Sequence, residues 1–87
     1  MSTYLDSCDR CLIPVTPAAG LSDGDSGLVC GYRCPNCRGV WTCSWMTVPG
    51  RVDPPSHTAD AHVAAVLHEQ AAINRSHKKP ARDTPAA

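Results

Sequence analysis

Two Cys-x-x-Cys pairs, Cys8-Asp9-Arg10-Cys11 and Cys34-Pro35-Asn36-Cys37, stand twenty-two residues apart in a chain of 87. A Cys-x-x-Cys turn can aim both sulfurs at one ion while neighbouring backbone N–H groups stabilise the thiolates. Two such turns complete a tetrahedron and leave no open position for water, which marks a structural metal rather than a catalytic one. The spacing therefore predicts one structural Zn2+ held by Cys8, Cys11, Cys34 and Cys37. Iron in a rubredoxin-like site of four thiolates is chemically possible, but the large acidic surface and aromatic core wanted for that electron carrier are missing.

Size makes the metal matter. A chain of this length has room for one small domain and some tail, and a small domain rarely reaches stability on apolar contacts alone. Here there is no Phe, only two Trp and two Tyr, and much of the 43% apolar content is Ala and Cys. Six cysteines can instead form three disulfides in a secreted protein. Met1-Ser2-Thr3-Tyr4 opens into the first pair with no basic start and no apolar segment, so a reducing, cytoplasmic setting with thiolates on metal is the expectation. No apolar run approaches the length needed to span a bilayer.

The formal net charge is zero, which argues against strong nonspecific DNA binding, since that needs several phosphate contacts at once. The charge is unevenly spread. Arg33, Arg38 and Arg51 carry residues 31–51 with no acid, and Arg75, Lys78, Lys79 and Arg82 outnumber Asp83 at the end of the chain.

The periodicity predicts a small metal-stabilised β domain, an antiparallel hairpin with two knuckles, followed by one C-terminal helix. Residues 1–48 form the β part, 49–56 a Pro-rich linker, 57–76 an amphipathic helix and 77–87 a disordered basic tail. Leu28 to Cys34 and Val40 to Met46 alternate as strands joined by the second knuckle. A register that sets Cys30 opposite Cys43 brings Tyr32 opposite Trp41 and Leu28 opposite Trp45 on one side of the ribbon. Val29, Gly31 and Arg33 then lie with Val40, Thr42 and Ser44 on a wetter side. Pro17 to Gly27, rich in Gly, Ala, Asp and Ser, reads as a mobile loop. The helix is expected to be capped by Ser56 or Thr58, with Asp60 in its first turn, and to run to about Arg75. Its apolar stripe would be Ala59, Val63, Val66, Leu67, Gln70 and Ile73.

The other chemical groups point less sharply. Cys30 and Cys43 can replace a ligand, bridge each other, serve redox chemistry or fill the core, and the core is the expected place for unpaired Cys. Tyr32, Trp41 and Trp45 can be a base-stacking platform beside Arg33 and Arg38, although a chain so poor in large side chains is expected to need these rings as core. His57, His62, His68 and His77 are spaced by five, six and nine residues, which stacks no two on one helical face. There is no His-Glu-x-x-His, and closed metal ligation removes the cysteines from nucleophilic work, so no enzyme activity and no catalytic residue are expected.

The run Tyr32-Arg33-Cys34-Pro35-Asn36-Cys37, followed by Trp41-Thr42-Cys43-Ser44-Trp45 and preceded by Cys8-Asp9-Arg10-Cys11, resembles the small zinc-ribbon proteins of actinobacteria, their plasmids and phages. The resemblance covers roughly residues 8–46 and implies a ribbon fold with one zinc ion. It is unspecific for activity, because ribbons serve in transcription factors, topoisomerases, ribosomal proteins and adaptors. Many ribbon knuckles follow the second Cys with Gly, whereas Leu12 and Arg38 stand there in this chain. The functional expectation is a module contacting nucleic acid or the transcription machinery through Arg33, Arg38, Trp41, Lys78 and Lys79. The alternative is a protein–protein adaptor, such as a modulator of a host protein, that offers the stripe of its helix.

Overall fold

The computed structural model describes residues 4–22 and 27–83, with side chains described as far as Ser76. The opening residues 1–3, residues 23–26 of the expected loop and residues 84–87 of the expected tail lie outside that range. Strands β1 (Asp6–Ser7) and β2 (Pro14–Val15) form a short antiparallel pair around the first knuckle. Strands β3 (Ala19–Ser22), β4 (Gly27–Arg33) and β5 (Val40–Met46) form an antiparallel sheet in that order, and helix α1 spans Ala61–Asp83.

The hairpin register is the expected one: Cys30 pairs with Cys43, Tyr32 with Trp41 and Leu28 with Trp45. That side of the sheet packs with Tyr4, Cys8 and Val15 into the larger buried cluster. Tyr32 stacks on Trp41 at 5.3 Å between ring centroids, and Tyr4 meets Trp45 edge-on at 5.7 Å. The buried Tyr32 hydroxyl donates to the Tyr4 carbonyl at 2.6 Å and accepts from Trp45 Nε1 at 2.8 Å, so its polar end is satisfied.

The opposite side is not the wetter one that the alternation suggests. It is covered by α1, whose Val63, Leu67 and Ala71 are buried, the last two against Ala19 and Val29. Gly31 is what lets the helix approach, because a Cβ there would lie 2.8 Å from Val63 Cγ1 and 3.4 Å from Leu67 Cβ. The buried stripe is accordingly narrower than expected and rotated. Val66 and Gln70 are half-buried at its margin, Ile73 is 40% exposed, and the exposed Ala59 precedes the helix.

Ala19–Ser22, expected to be part of a loop, is a strand whose Ala19 pairs with Gly31 and Leu21 with Val29. Its small residues mislead because they are small for packing reasons. Ala19 is fully buried in the cluster with Leu67 and Ala71. A Cβ on Gly20 would lie 2.7 Å from Pro54 Cγ, and Gly20 N donates to the Pro55 carbonyl at 2.8 Å. The Pro-rich segment 49–56 is thus tied to the sheet at this point and does not merely link.

Asp60 caps the helix, a role expected of Ser56 or Thr58. Its Oδ1 accepts from His62 N at 3.1 Å and Val63 N at 3.2 Å, while Thr58 Oγ1 accepts from Asp60 N. The helix also runs past the expected end near residue 76, through His77-Lys78-Lys79, which are ordinary helix formers, to Asp83. Pro80 lies within it and supplies no N–H to the turn before.

Asp60 is held further by Arg33, with Nε to Oδ2 at 2.5 Å and Nη2 to Oδ1 at 3.2 Å. The Arg33 hydrogen bond, followed by the Val63 N–H, lowers the Asp60 carboxyl to about 2. A depressed carboxyl pKa contributes stability that is present above the unfolded value near 4 and is lost as pH falls through the folded value. Stability should therefore fall between pH about 4 and about 2. Asp60→Asn, which keeps a capping oxygen but no charge, should flatten that part of the acid limb in denaturant melts across pH. An unchanged limb would mean that the ion pair does not form in solution.

Candidate metal centre

The two knuckles are built alike. In the first, Leu12 N donates to Cys8 O at 2.7 Å and Cys8 N to Ile13 O at 3.1 Å. In the second, Arg38 N donates to Cys34 O at 2.8 Å and Cys34 N to Gly39 O at 2.9 Å. Each closes on a residue with positive φ directly after its second cysteine, Leu12 at 57° and Arg38 at 65°. These are the positions where Gly is usual in ribbon knuckles, and the sequence leaves the first knuckle open to being looser. The repeated hydrogen bonds show the same closed turn twice, with a side chain tolerated in the left-handed region both times.

An L-residue held there costs roughly 1–2 kcal/mol, and the Leu12 side chain, 77% exposed, has little packing to lose. Leu12→Gly should consequently raise stability by about 1 kcal/mol, the backbone relief exceeding the entropy glycine adds to the unfolded chain. Denaturant melts of the metal-loaded proteins check the sign. A destabilised variant would show that Leu12 makes a contact the turn needs.

The paired turns bring Cys8, Cys11, Cys34 and Cys37 together, with all four Sγ atoms within 4.8 Å of one another. Cys8 and Cys37 Sγ are 3.6 Å apart, and Cys11 and Cys34 Sγ 3.7 Å. A tetrahedron of thiolates at about 2.3 Å from zinc has edges of about 3.8 Å, so the donor set fits one ion of that size. None of the six cysteines is in a disulfide. The main chain favours thiolate at the centre: the Cys37 N–H, followed by that of Asn36, helps bring Cys34 down to about 6. Asn36 Nδ2 also donates to Cys11 Sγ at 3.2 Å. Without a cation the Cys11 thiol nonetheless stands at about 11, because the Asn36 hydrogen bond is outweighed by desolvation and by hydrogen bonds with the other three cysteines. Four sulfurs this close need a positive charge among them to ionise together.

Cys30 and Cys43 stay outside this cluster. Cys30 is fully buried among the aromatic residues, and burial pushes its thiol up to about 11. Cys43 is half-buried beside it and is also raised, by desolvation first and then by Asp6. Their place is the core, as expected, and neither replaces a ligand.

The expected contact residues fare differently. Arg33 is taken up by Asp60 and by the Arg38 carbonyl, which accepts from Nη1 at 2.8 Å. Trp41 is stacked on Tyr32, and its Nε1 donates to Asp6 Oδ2 at 2.9 Å. The cleft beside it, about 210 Å³, is lined by Asp6, Ser7, Asp9 and Trp41. Two carboxylates at that rim disfavour a phosphate backbone there. Arg38 is exposed at the tip of the second knuckle. Lys78 and Lys79 lie on the last turns of α1, where side chains are not described.

Sequence reasoning missed Asn36 as a sulfur ligand's partner, Asp6 as an anchor for Trp41 and Tyr4 as a core ring. Only Tyr4 carried a signal, being an aromatic residue directly before the first knuckle. The chain matches no family model, no curated protein and no solved structure.

Proposed function

We propose that the protein is a zinc-held, non-enzymatic binding module that presents its knuckle end to nucleic acid or to the transcription proteins on it. The observation that carries this reading is the closed cage of four cysteine sulfurs on two matching turns. Such a set suits zinc and offers no position for a reacting water, so the ion's role is to fix the surface around it. That surface carries exposed Arg10 and Leu12 on the first knuckle and exposed Arg38 on the second. Arg33 supports Arg38 by binding its carbonyl, and is better understood as a positioning residue than as a contact. For the adaptor alternative the stripe is divided: Val63 and Leu67 are buried on the sheet, while Val66 is half-buried and Ile73 is 40% exposed.

Fluorescence anisotropy with labelled single- and double-stranded oligonucleotides tests the reading. Two phosphate contacts, by Arg10 and Arg38, predict an affinity about tenfold weaker on raising salt fourfold from about 50 mM. Arg10→Ala combined with Arg38→Ala should remove most of that salt dependence. Absence of binding at low salt would reject nucleic acid as the partner, and binding indifferent to the double substitution would reject the knuckle end as its contact surface, while the metal assignment is left to elemental analysis.

A further inference from the structure

We propose that β5 is a self-complementary edge through which two copies of this chain join into one six-stranded sheet, with Cys43 on the two-fold axis. β5 is the last strand of the order β3-β4-β5, and among the described residues no strand pairs with its outer side. The phase of the hairpin shows which of its groups are available. Cys34 N donates to Gly39 O, the position that continues the register of Arg33 with Val40. Alternation along an antiparallel pair then turns the main-chain groups of Trp41, Cys43 and Trp45 toward β4 and those of Val40, Thr42, Ser44 and Met46 outward.

Exposed edges are normally blunted by charge, proline, a bulge or shortness. β3, the opposite edge, has four residues and a Gly20 N–H that is already bonded to Pro55. β5 has seven residues, no charge and no proline, and pairs one-to-one with β4 without a bulge.

Its sequence also reads nearly alike in both directions about Cys43: Val40-Trp41-Thr42, then Ser44-Trp45-Met46. An antiparallel pair centred on Cys43 sets Trp41 opposite Trp45 of the second copy, Thr42 opposite its Ser44 and Val40 opposite its Met46. Similar residues meet on both faces, and β5 itself brings no charged residue to the pairing. This is the one register in which all four outward-facing residues of each strand find partners within the other strand. It would also cover Met46, which is 73% exposed. Isologous pairing of this kind closes at two copies and leaves β3 as the outer edge.

The two Cys43 residues would face each other at a site that is not hydrogen-bonded, where Cα atoms approach to about 4.5 Å, within disulfide reach. The Cys43 thiol already leans to the outer side, 3.8 Å from the Ser44 carbonyl.

The test uses the full-length protein as purified. Sedimentation velocity over a dilution series should show reversible doubling of mass. Brief treatment with diamide, which takes the two electrons and two protons of a thiol pair and becomes the hydrazine, should give a covalent dimer mapped to Cys43–Cys43. Cys43→Ser should lose the crosslink and keep the reversible dimer. Ser44→Pro removes one outward N–H from each copy and should return the protein to monomer with its metal content unchanged. A monomer at every concentration, a crosslink through any other cysteine, or an oxidised monomer joined Cys30 to Cys43 would overturn the proposal. The crosslink map of the unmodified protein decides even where Ser44→Pro fails to fold.

Discussion

Cys34→Ser protein should emerge from purification without stoichiometric zinc and without a cooperative thermal transition. Cys34 is fully buried, and the Cys37 N–H, followed by that of Asn36, helps bring its thiol down to about 6. A serine hydroxyl in its place remains protonated and is a poor zinc ligand. Structural zinc is worth on the order of 10–16 kcal/mol in finger peptides, against a net domain stability of about 5–15 kcal/mol. Losing most of that term leaves two modest clusters, one of which contains all four ligand cysteines. Metal analysis and a circular-dichroism melt are the measurements, and a chelator should reproduce the result on the unaltered chain. Cys30→Ser serves as the contrast: it buries a hydroxyl beside that of Tyr32, at a cost of about 1–3 kcal/mol, and should keep the metal. Full metal content and a parental melt in Cys34→Ser would mean that the four sulfurs are not the site.

Leu67→Ala carries the next largest effect, a loss of about 3 kcal/mol with metal content unchanged. Leu67 is 1% exposed and fits over Gly31, in the space that the missing side chain leaves. Ala19 and Ala71 line part of its socket beside Val29, and neither alanine can swing in to refill the cavity. The shift in urea midpoint measures the loss, with zinc determined in the same samples. A shift under about 0.5 kcal/mol, the range of surface substitutions, would show that the helix is not docked in solution.

How much of this could be read in advance differs from element to element. The cysteine spacing announced the donor set, and the alternation of Leu28, Cys30 and Tyr32 with Trp41, Cys43 and Trp45 announced the register, because those residues are both large and periodic. The docking of α1 was hidden because its receiving surface is marked by an absence, the missing side chain of Gly31. Strand β3 was hidden for the same reason: Ala19 and Gly20 look like loop residues until Leu67 and Pro54 are set beside them. Arg33 was legible as a cation near the knuckle, but not as the partner of an Asp60 that follows twenty-seven positions later. Nothing local to either residue announces that pairing.

The position of that one guanidinium links two places that are separate in the chain. Arg33 grips the carbonyl of the second knuckle with one nitrogen and Asp60, the cap of α1, with the others. An ion bound between the two knuckles would fix that carbonyl and, through the guanidinium, the start of the helix, so its removal would be expected to loosen both together.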